Sequence, residues 1–240
     1  MVIKKSNLGI SVFFPAYNDG GSIASMVINA IMTLKKITNN YEVIVVDDGS
    51  KDNTGQIIDE LAKKYRLVRA IHHKVNKGYG GALRTGFASA RKELIFYTDG
   101  DAQYDVRELA NLVPLMKEGV DVVNGYKIKR SDPLHRKIVG KLYHYSVKFA
   151  FGLKIKDVDC DFRLIRKKVF EKVHLKSNTG VICVELMKKI QSAGFNVQEI
   201  GVHHYHRMHG KSQFFNFSRI AKTLIALAKL WVETVLLKNY

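Results

Sequence analysis

The alternation of short apolar segments with helical segments constrains the fold of this 240-residue chain more than any other feature of its sequence. Five segments rich in β-branched and aromatic residues are predicted to be strands: Gly9–Phe14, Tyr41–Val46, Leu67–His72, Glu93–Thr98 and Asp121–Gly125. Stretches with helical periodicity separate them and begin near Ser22, Asn53, Gly80 and Asp105. Strands separated by helices of this length predict an α/β fold, with a mostly parallel central sheet and helices on both faces.

The second half of the chain has longer segments in a less regular order. We predict helices over Leu134–Leu153 and Val181–Ala193, strands over Val158–Ile165 and Phe195–Tyr205, and a long amphipathic helix over Phe217–Leu237. Charged residues interrupt this last helix, whereas a transmembrane span needs roughly twenty uninterrupted apolar residues. The helix therefore either lies in a membrane interface or packs on its own domain or on a partner subunit.

The formal net charge of +17 is concentrated in the second half of the chain. Residues 1–126 contain 16 basic and 14 acidic side chains, residues 127–176 contain 15 and 5, and residues 200–240 contain 6 and 1. Nucleic acid, an anionic membrane surface and phosphorylated substrates are the partners that such a charge can attract. Tyr143, Tyr145 and Phe149 lie among the cations, but no nucleic-acid-binding motif accompanies them, so we expect no nucleic-acid partner.

Targeting signals and metal-binding cysteine or histidine patterns are not expected. The N-terminal apolar segment leads directly into Pro15 without a small-residue cleavage site, which favours a strand over a signal peptide. Cys160 and Cys183 lack metal-ligand spacing and are expected to be free thiols in a reducing compartment. Alternation along the last predicted strand separates its clustered histidines, which favours a solvated strand and loop over a metal site. The cluster comprises His203, His204, His206 and His209, and we expect His72 and His73 to be structural.

Polar and glycine-rich segments follow four of the predicted strands. They are PAYND (residues 15–19), DDGS (47–50), NKGYGG (76–81) and DGDAQ (99–103). Because the carboxyl ends of parallel strands meet at one edge of a sheet, we expect these acids and glycines to share one crevice. Ligands bind at that edge in open sheets of this type.

Asp99 and Asp101 give the strongest single indication of chemistry. Two acids separated by Gly100 can direct both carboxylates at one hard cation. Mg²⁺ uses few protein carboxylates together with phosphate oxygens, which suits a metal that bridges to a diphosphate. Such a metal would neutralise the charge that develops on a departing nucleoside diphosphate. The buried-type strand before the pair, LIFYT, favours this interpretation over a solvated turn.

Asp48 and the glycine-rich segment are candidates for nucleotide binding. Asp48 can accept hydrogen bonds from a base or a ribose, although DDGSKDNT is also typical of a turn before a helix N-cap. Both roles are compatible if Asp47 or Asp52 serves the structural one. Gly78, Gly80 and Gly81 permit close approach of the backbone to a ligand. No GxGxxG motif occurs, and the absence of a P-loop removes the most common kinase and nucleoside-triphosphatase interpretation.

The motifs PAYND, VVDDGS, NKGYGGALRTGF and YTDGDAQY, in this order and spacing, resemble those of the family 2 glycosyltransferases, which have the GT-A (Rossmann-like) fold. The chain is similar to the branch of the dolichyl-phosphate mannose synthases and the bacterial polyprenyl-phosphate glycosyltransferases, because DCDFRL (159–164) and RMHGKS (207–212) match its later motifs. The resemblance covers nearly the whole chain. It implies a catalytic domain over residues 1–213, with a nucleotide-binding half (1–126) and an acceptor-binding half (127–213), followed by an amphipathic helix over 214–240.

The resemblance also implies an inverting, metal-dependent transferase that moves a hexose from a GDP-mannose-like or UDP-glucose-like donor to a polyprenyl phosphate. The implied nucleotide-binding residues are Pro15, Ala16, Tyr17, Asp19, Asp48, Lys77, Gly78, Asp99 and Gly100, and the family usually has Glu where Asp19 stands. Mg²⁺ or Mn²⁺ would be held by Asp99, Asp101 and Gln103. The implied residues for the acceptor and the diphosphate are Gln103, Arg130, Arg136, Lys137, Lys141, Arg163, Arg207 and Lys211.

Asp161 occupies the position of a candidate base in related enzymes, and Asp101 and Asp161 are the implied catalytic residues. A phosphate acceptor has a second pKa of about 6 and is largely ionised near neutrality, so it needs no strong general base. We therefore expect Asp161 to orient the acceptor, and the cations of residues 127–141 to matter more. A hydroxyl acceptor would lose its proton during attack and would make Asp161 essential.

Several alternatives are open from the sequence alone. A polysaccharide or glycolipid hydroxyl is the alternative acceptor. A nucleotidyltransferase would need a glycine-rich loop with Arg or Lys directly after the first strand, which PAYNDG lacks, and a basic nucleic-acid-binding domain is the non-enzymatic alternative. We expect a peripheral protein at the cytoplasmic face of a membrane, held by anionic lipids, by a membrane-anchoring subunit or as a homodimer.

Overall fold

The fold is described from a computed structural model, over residues 5, 7–130, 134–206 and 217–238. Side chains are described throughout these ranges apart from residues 129, 130, 134–139, 141 and 217–220. The strands are β1 (Ile10–Ala16), β2 (Tyr41–Asp47), β3 (Val68–His72), β4 (Leu94–Thr98), β5 (Val122–Arg130), β6 (Phe162–Arg166) and β7 (Val197–His204). The helices are α1 (Ile23–Ile37), α2 (Thr54–Lys64), α3 (Tyr79–Ser89), α4 (Leu109–Leu112), α5 (Leu134–Phe151), α6 (Ile182–Ser192) and α7 (Phe217–Trp231).

All seven strands form one sheet in the order β3-β2-β1-β4-β6-β5-β7. Neighbouring strands are parallel, apart from β6, which runs antiparallel to both β4 and β5. The prediction of a mostly parallel α/β sheet is therefore confirmed. The single reversed strand has a consequence for function, because it places the beginning of β6 at the edge where β1, β2 and β4 end.

Alternation along the central strands builds a core on each face of the sheet. Val12 and Phe14 of β1 belong to the apolar cluster on one face, and Phe13 belongs to the cluster on the other. Because the side-chain period of a strand is two residues, a strand that is buried on both faces is apolar throughout. Gly86 of α3 lies against the ring of Phe13, where a Cβ atom would overlap the aromatic carbons, so helix and sheet approach closely at this point.

Four predicted elements differ from the structure by more than two residues. β5 extends to Arg130 where the predicted strand ends at Gly125, and α7 ends at Trp231, after which a π-helical turn (Val232–Leu236) replaces the rest of the predicted helix. The helix expected from Asp105 is divided into 3₁₀ turns at Val106–Glu108 and Val113–Leu115 around the short α4, because Pro114 lacks the amide hydrogen of regular helical pairing. The strand expected from Val158 begins only at Phe162. Asp157 explains the delay: its carboxylate accepts the backbone N–H groups of Asp159 (3.1 Å) and Lys127 (3.3 Å), which favours a loop over strand pairing.

The C-terminal helix packs on the second half of the sheet through α5. The indole Nε1 of Trp231 donates a hydrogen bond of 2.8 Å to the carbonyl oxygen of Ala150. Leu227 and Leu230 of α7 are buried in the same apolar cluster as Val147 and Phe151 of α5. None of the helices in the described part of the chain has the length and apolar character that a membrane crossing requires.

Candidate active site

The candidate site lies at the edge of the sheet where β1, β2 and β4 end and β6 begins. The register pairs Ala16 with Asp47 and Thr98 with Phe162. The residues that follow or precede these pairs therefore meet at one edge. The sequence predicted a shared crevice for Asp48, Asp99 and Asp101, and the structure brings Asp161 to the same edge through the reversed direction of β6.

The turns after β1 and β2 are linked to each other. Asn18 has a φ of 56°, and its side-chain oxygen accepts the Lys51 N–H at 2.8 Å. The Asn18 N–H in turn donates to Ser50 Oγ at 3.0 Å. The Asp19 carboxylate accepts the Tyr17 N–H at 3.0 Å, and the Asp19 carbonyl accepts the backbone N–H groups of Ser22 and Ile23 at the start of α1. These contacts fix the backbone of PAYND beside that of DDGS.

Asp99 and Asp101 lie in a region of concentrated negative charge. Burial raises the pKa of the Asp99 carboxyl well above its ordinary value, and the nearby charges of Asp161, Asp101 and Asp19 raise it further. Asp99 accepts a hydrogen bond of 2.7 Å from the Tyr79 hydroxyl, and Asp101 accepts the Gln103 N–H at 3.0 Å. Oxygen ligands that repel one another in a buried setting are chemically suited to a divalent cation.

Gln103 connects the acidic segment to the end of β7. Its carbonyl accepts the Tyr205 N–H at 2.8 Å, and its side-chain amide donates to the Tyr205 carbonyl at 3.3 Å. The neighbouring Tyr104 forms an isolated bridge with His204, whose ring packs edge-on at 5.1 Å. His203 faces elsewhere, since its Nδ1 lies 3.1 Å from the Glu108 carboxylate. His203 and His204 thus have separate partners, whereas His209 lies outside the described residues.

Asp48 is held by a network within the protein. Its Oδ1 atom accepts hydrogen bonds from His73 Nδ1 at 2.6 Å and from the Lys77 N–H at 2.8 Å. The structural role at the start of α2 falls on Asp52, one of the two alternatives to Asp48: its carboxylate accepts the first amide of that helix at 3.0 Å, and the N-cap residue is Asn53. Asp48 is thereby available for a role at the sheet edge.

The glycine-rich segment packs against the loop before α6. The Gly80 N–H donates to the Asn178 carbonyl at 3.0 Å. A Cβ atom at Gly78 or Gly80 would overlap backbone atoms of Ser177 or Asn178, and Gly78 has a φ of 83°. The close approach that the glycines permit is therefore made to the protein's own backbone. This packing provides a structural reason for both glycines that does not involve a ligand.

Asp161 is fixed in place by three donors. Its Oδ1 atom accepts hydrogen bonds from Arg163 Nη1 (3.0 Å), the Cys183 thiol (3.0 Å) and the Tyr97 hydroxyl (3.3 Å). Burial, followed by the charge of Asp161, raises the pKa of the Cys183 thiol well above its ordinary value. The thiol therefore keeps its proton and donates a hydrogen bond to Asp161, and it does not act as a nucleophile.

The expectation that Arg163 contacts the acceptor or the diphosphate is wrong. Arg163 is 0% exposed, and its guanidinium group donates to Asn124 Oδ1 at 2.7 Å, to the Val158 carbonyl and to Tyr97 and Asp161. A buried guanidinium whose donors are used in this way supports its neighbours and cannot also reach a ligand. Arg163 therefore orients Asp161.

A second cluster of potential ligands lies between α5 and β6. His144, Asp157 and Asp159 offer ligand atoms within 4.8 Å of one another, the one group of three that the described residues form. Both Asp157 oxygens already accept backbone N–H groups, and Lys127 Nζ lies 3.9 Å from one of them. Burial raises the pKa of Asp159 to about 6. The contacts of Asp157 stabilise the loop that precedes Asp161.

The motifs at this edge can now be compared with known proteins. The model of the family "Glycosyl transferase family 2" matches residues 11–174, which includes every strand that meets at the site. The chain belongs to glycosyl transferase family 2. The resemblance inferred from its motifs is thereby confirmed.

Curated relatives of this family 2 chain include two bacterial proteins named undecaprenyl-phosphate 4-deoxy-4-formamido-L-arabinose transferase. The protein from Aeromonas hydrophila is 30% identical over 209 residues, which cover 85% of this chain and 62% of that protein. The protein from Shewanella sediminis is 30% identical over 211 residues, which cover 85% and 61%. The chain thus spans about three fifths of the length of these relatives.

Solved structures confirm the GT-A type of fold for the family 2 chain. Glucosyl-3-phosphoglycerate synthase from Mycobacterium tuberculosis, in complex with Mn²⁺, UDP and glucosyl-3-phosphoglycerate, superposes with a TM-score of 0.72. The match covers 94% of this chain and 80% of that one at 16% identity. A complex of the same synthase with Mn²⁺ and UDP-glucose has a TM-score of 0.68, again at 16% identity. At this identity the similarity concerns the fold alone.

Several residues that shape this family 2 site were not among the residues predicted to form it: Tyr79, Tyr97, His73 and Cys183. The sequence contains a signal for His73: β2 ends at Asp47 and is followed by Asp48, and β3 ends at His72 and is followed by His73. The register pairs Asp47 with His72, which brings His73 beside Asp48. The side chains of Arg130, Arg136, Lys137, Lys141, Arg207 and Lys211 lie outside the described residues.

Proposed function

We propose that this chain is an inverting glycosyltransferase that moves a sugar from a nucleoside diphosphate to a polyprenyl phosphate at a membrane surface. One observation carries the proposal: the structure gathers Asp48, the Asp99–Asp101 pair and Asp161 at a single sheet edge of a family 2 fold. The names of the curated relatives above combine undecaprenyl phosphate with the sugar that is transferred, which favours a lipid phosphate as acceptor.

The donor would bind at the ends of β1, β2 and β4. Asp48 would accept hydrogen bonds from the base or the ribose, with Lys77 beside it. The segment from Pro15 to Tyr17, together with Asp19 and Gly100, would line the nucleotide. Gly100 supports this placement because its N–H donates to the Pro15 carbonyl at 3.3 Å, which joins the first and fourth strand ends.

Asp99, Asp101 and Gln103 are the residues that would hold Mg²⁺ or Mn²⁺ beside the diphosphate. The fit rests on chemistry: burial and the nearby charges of Asp161 and Asp101 raise the pKa of Asp99, so a divalent cation would relieve the repulsion at this carboxylate. When bound, the ion compensates the charge that develops on the leaving diphosphate. Tyr79 contributes by donating to Asp99, which fixes the direction of that carboxylate.

In the transfer step, a phosphate oxygen of the acceptor forms a bond to the anomeric carbon as the bond to the diphosphate breaks, and the nucleoside diphosphate departs from the opposite face. The attacking phosphate is largely ionised near neutrality, so no strong base is required. Asp161 would then orient the acceptor. Its Oδ1 is held by three donors, as an orienting group requires, and basic residues of the 127–141 segment would bind the acceptor phosphate.

We propose that the surface formed by α5, α7 and the π-helical turn Val232–Leu236 attaches the chain to a membrane. Phe149 of α5 is 91% exposed, and further exposed apolar residues are Leu142, Tyr145, Leu224, Ile225, Val232, Leu236 and Leu237. Exposed lysines on α7 and after it, Lys222, Lys229 and Lys238, accompany them. Apolar side chains combined with lysines suit an interface with anionic lipids. A membrane-anchoring subunit or a second copy of the chain would be the alternative occupant of the same surface.

The cytoplasmic face is the side on which we place this reaction. Cys160 and Cys183 are both free and buried, which is compatible with a reducing compartment. The base and the sugar of the donor are not specified by any contact described above, so the test must compare several donors.

A transfer assay tests the proposal. Radiolabelled GDP-mannose, UDP-glucose and a 4-formamido-arabinose nucleotide would each be incubated with undecaprenyl phosphate in anionic liposomes, with Mn²⁺, with Mg²⁺ or with EDTA. We expect a labelled, organic-soluble lipid product from one donor, and its loss with EDTA. Absence of product with every donor, alongside transfer to an added glycolipid or polysaccharide hydroxyl, would replace the lipid phosphate with a hydroxyl acceptor.

Asp161 distinguishes the two acceptor classes. With a phosphate acceptor, Asp161→Asn is expected to reduce kcat by no more than about tenfold, because the removed function is orientation. General-base catalysis contributes typically about 10²–10⁴-fold, so a loss of that size would identify Asp161 as a base and indicate a hydroxyl acceptor. Cys183→Ser serves as the matched control, because a hydroxyl can also donate to Asp161 Oδ1.

A further inference from the structure

Asp48, the residue proposed to bind the nucleoside, is supported from within the protein by His73. The distance from His73 Nδ1 to Asp48 Oδ1 is 2.6 Å, and the side chains are only 3% and 4% exposed. A short contact to a buried carboxylate is a charge-assisted hydrogen bond, which is stronger than a contact between neutral groups. The imidazole therefore determines how the Asp48 side chain is directed.

The Asp48 carboxylate can only accept hydrogen bonds, so its contact requires a proton on Nδ1, and the contact of the other ring nitrogen is compatible with one. His73 Nε2 lies 2.9 Å from Thr85 Oγ1, which is also 3.0 Å from the Gly81 carbonyl. If the Thr85 hydroxyl donates to Gly81, the ring must donate at both nitrogens. If the hydroxyl donates to Nε2, a neutral ring carries its only proton on Nδ1. In both arrangements Nδ1–H faces the carboxylate of Asp48.

We infer that His73 is a positioning residue for the sugar-nucleotide donor. Among the described residues, the contacts to the Asp48 carboxylate fall on Oδ1, from His73 Nδ1 and from the Lys77 N–H. Oδ2 is then the oxygen that can accept a hydrogen bond from the base or the ribose. This inference rests on the proposed function, because it requires that a nucleotide bind at Asp48.

The adjacent histidine provides a control of the same chemistry. His72 contacts Asp47 at 2.9 Å and Asp59 at 3.1 Å, and its side chain is 39% exposed. Asp47 pairs with His72 in the register of β2 and β3, so the two histidine–aspartate pairs are neighbours along the same two strands. Replacement of His72 removes one such pair without removing a contact to Asp48.

Asn and Gln at position 73 separate the role of Nδ1 from the role of the ring's bulk. The side-chain amide of Asn reaches the position of Nδ1, whereas that of Gln reaches the position of Nε2. His73→Asn therefore retains a donor to Asp48, and His73→Gln removes it. Both replacements are polar and uncharged, so a difference between them reports the hydrogen bond to Asp48.

Isothermal titration of UDP and of GDP, each with Mn²⁺, into the full chain and its variants tests the inference. For the nucleotide that the wild type binds, we expect Kd to rise about tenfold in His73→Gln, the size of one lost charge-assisted hydrogen bond. His73→Asn and His72→Gln are expected to stay within about threefold of the wild type. Thermal melting of each variant confirms that the comparison is made between folded proteins.

The outcomes separate the inference from the function on which it rests. A wild type that binds neither nucleotide overturns both. If folded His73→Gln binds the nucleotide as tightly as the wild type does, the positioning role alone is overturned. An equal loss of affinity in His73→Asn and His73→Gln also overturns it. If His73→Gln does not fold, Thr85→Val decides the question. Loss of the Nε2 contact should then weaken binding about threefold, and unchanged binding would contradict the inference.

Discussion

The two halves of this molecule prepare for their substrates in different ways. In the first half, whose strands end at the site, contacts within the protein fix the acidic side chains: His73 and Lys77 hold Asp48, and Tyr79 holds Asp99. The second half has a large basic excess, with 15 basic against 5 acidic residues in 127–176, and exposes apolar side chains on α5 and α7. The first half therefore resembles a preformed site, and the second half, apart from the fixed Asp161, resembles an adaptable surface.

This difference teaches how one chain can serve a small donor and a lipid acceptor. A nucleotide is recognised by a few groups at fixed positions, which requires rigid elements and supporting contacts. A lipid phosphate arrives in a membrane, where summed charge and apolar area matter more than any single contact. Mutations in the first half should thus have large, local effects, whereas mutations on the surface of the second half should have smaller, additive ones.

The largest expected effect is that of Asp101→Asn on transfer. Because the pair Asp99 and Asp101 is proposed to hold the metal and the diphosphate, loss of one carboxylate should reduce kcat/KM by about 10²–10³-fold, equivalent to roughly 3–4 kcal/mol of transition-state stabilisation. The measurement is initial velocity with saturating Mn²⁺. Asp105→Asn is the matched control, because Asp105 lies in the same segment and the described hydrogen bonds of its carboxylate go to Arg107. A similar loss in both variants would contradict a specific metal-binding pair.

Arg163→Met tests whether the buried arginine supports the site or contacts the acceptor. Removing it leaves Asp161 without its charged partner and Asn124 without a donor, so the free energy of unfolding should fall by about 3 kcal/mol. Urea denaturation measures the change. Arg107→Met, which removes an exposed partner of Asp105, should leave stability within about 0.5 kcal/mol of the wild type. Unchanged stability in Arg163→Met with a raised KM for the acceptor would restore the original interpretation.

The first half of the fold was predictable to within one or two residues at most element boundaries, because strand and helix periodicity is a local signal. The sequence also predicted that Asp48 and Asp99 share an edge. It did not predict that β6 is antiparallel, since an apolar segment has the same pattern in either direction. That reversal brings Asp161 to the site. The contacts of Tyr79, Tyr97 and Cys183 likewise join positions far apart in the chain, which no local pattern records.

The glycine-rich segment shows what residue type alone leaves open. Gly78 and Gly80 were correctly recognised as positions of close approach, but the approaching atoms belong to Ser177 and Asn178. Residue type indicates that space is needed and does not indicate what occupies the space. The same limit applies to Arg163, which the family resemblance assigned to the acceptor or the diphosphate and whose burial was not visible from its neighbours in sequence.

Phe149→Glu tests the second half as a membrane-binding surface. The side chain is 91% exposed, so the substitution should leave the fold intact while removing an apolar contact with lipid. Burial of such a side chain contributes roughly 1.5–3 kcal/mol, and we therefore expect at least about tenfold weaker partitioning into anionic liposomes in a flotation assay. Met32→Glu, an exposed apolar residue on α1, is the control and should float as the wild type does. Equal loss in both would indicate a general charge effect.

The smallest expected effect concerns the pH dependence of stability at Asp159. Burial raises the pKa of this carboxyl from 3.8 to about 6 in the folded chain. Between these values the folded chain holds a proton that the unfolded chain has released, so stability falls as pH rises through the window. Asp159→Asn, which imitates the protonated form, should be more stable than the wild type at pH 7 by on the order of 1 kcal/mol. Near pH 3.5 the two should be similar.

Urea denaturation at both pH values provides this comparison. Asp157→Asn is a control of opposite sign, because the Asp157 carboxylate accepts two backbone N–H groups and its replacement should destabilise the loop. Equal stability of Asp159→Asn and the wild type at pH 7 would contradict a raised pKa at this position.

The central claim is that the Asp99–Asp101 pair, at the edge shared by β1, β2 and β4, holds a divalent cation beside the donor diphosphate. An anomalous difference map at the manganese edge, from crystals grown with Mn²⁺ and UDP or GDP, tests it most directly. The account predicts a peak between these two carboxylates and the phosphate oxygens. A peak between His144, Asp157 and Asp159 instead, with the nucleotide bound elsewhere, would contradict it.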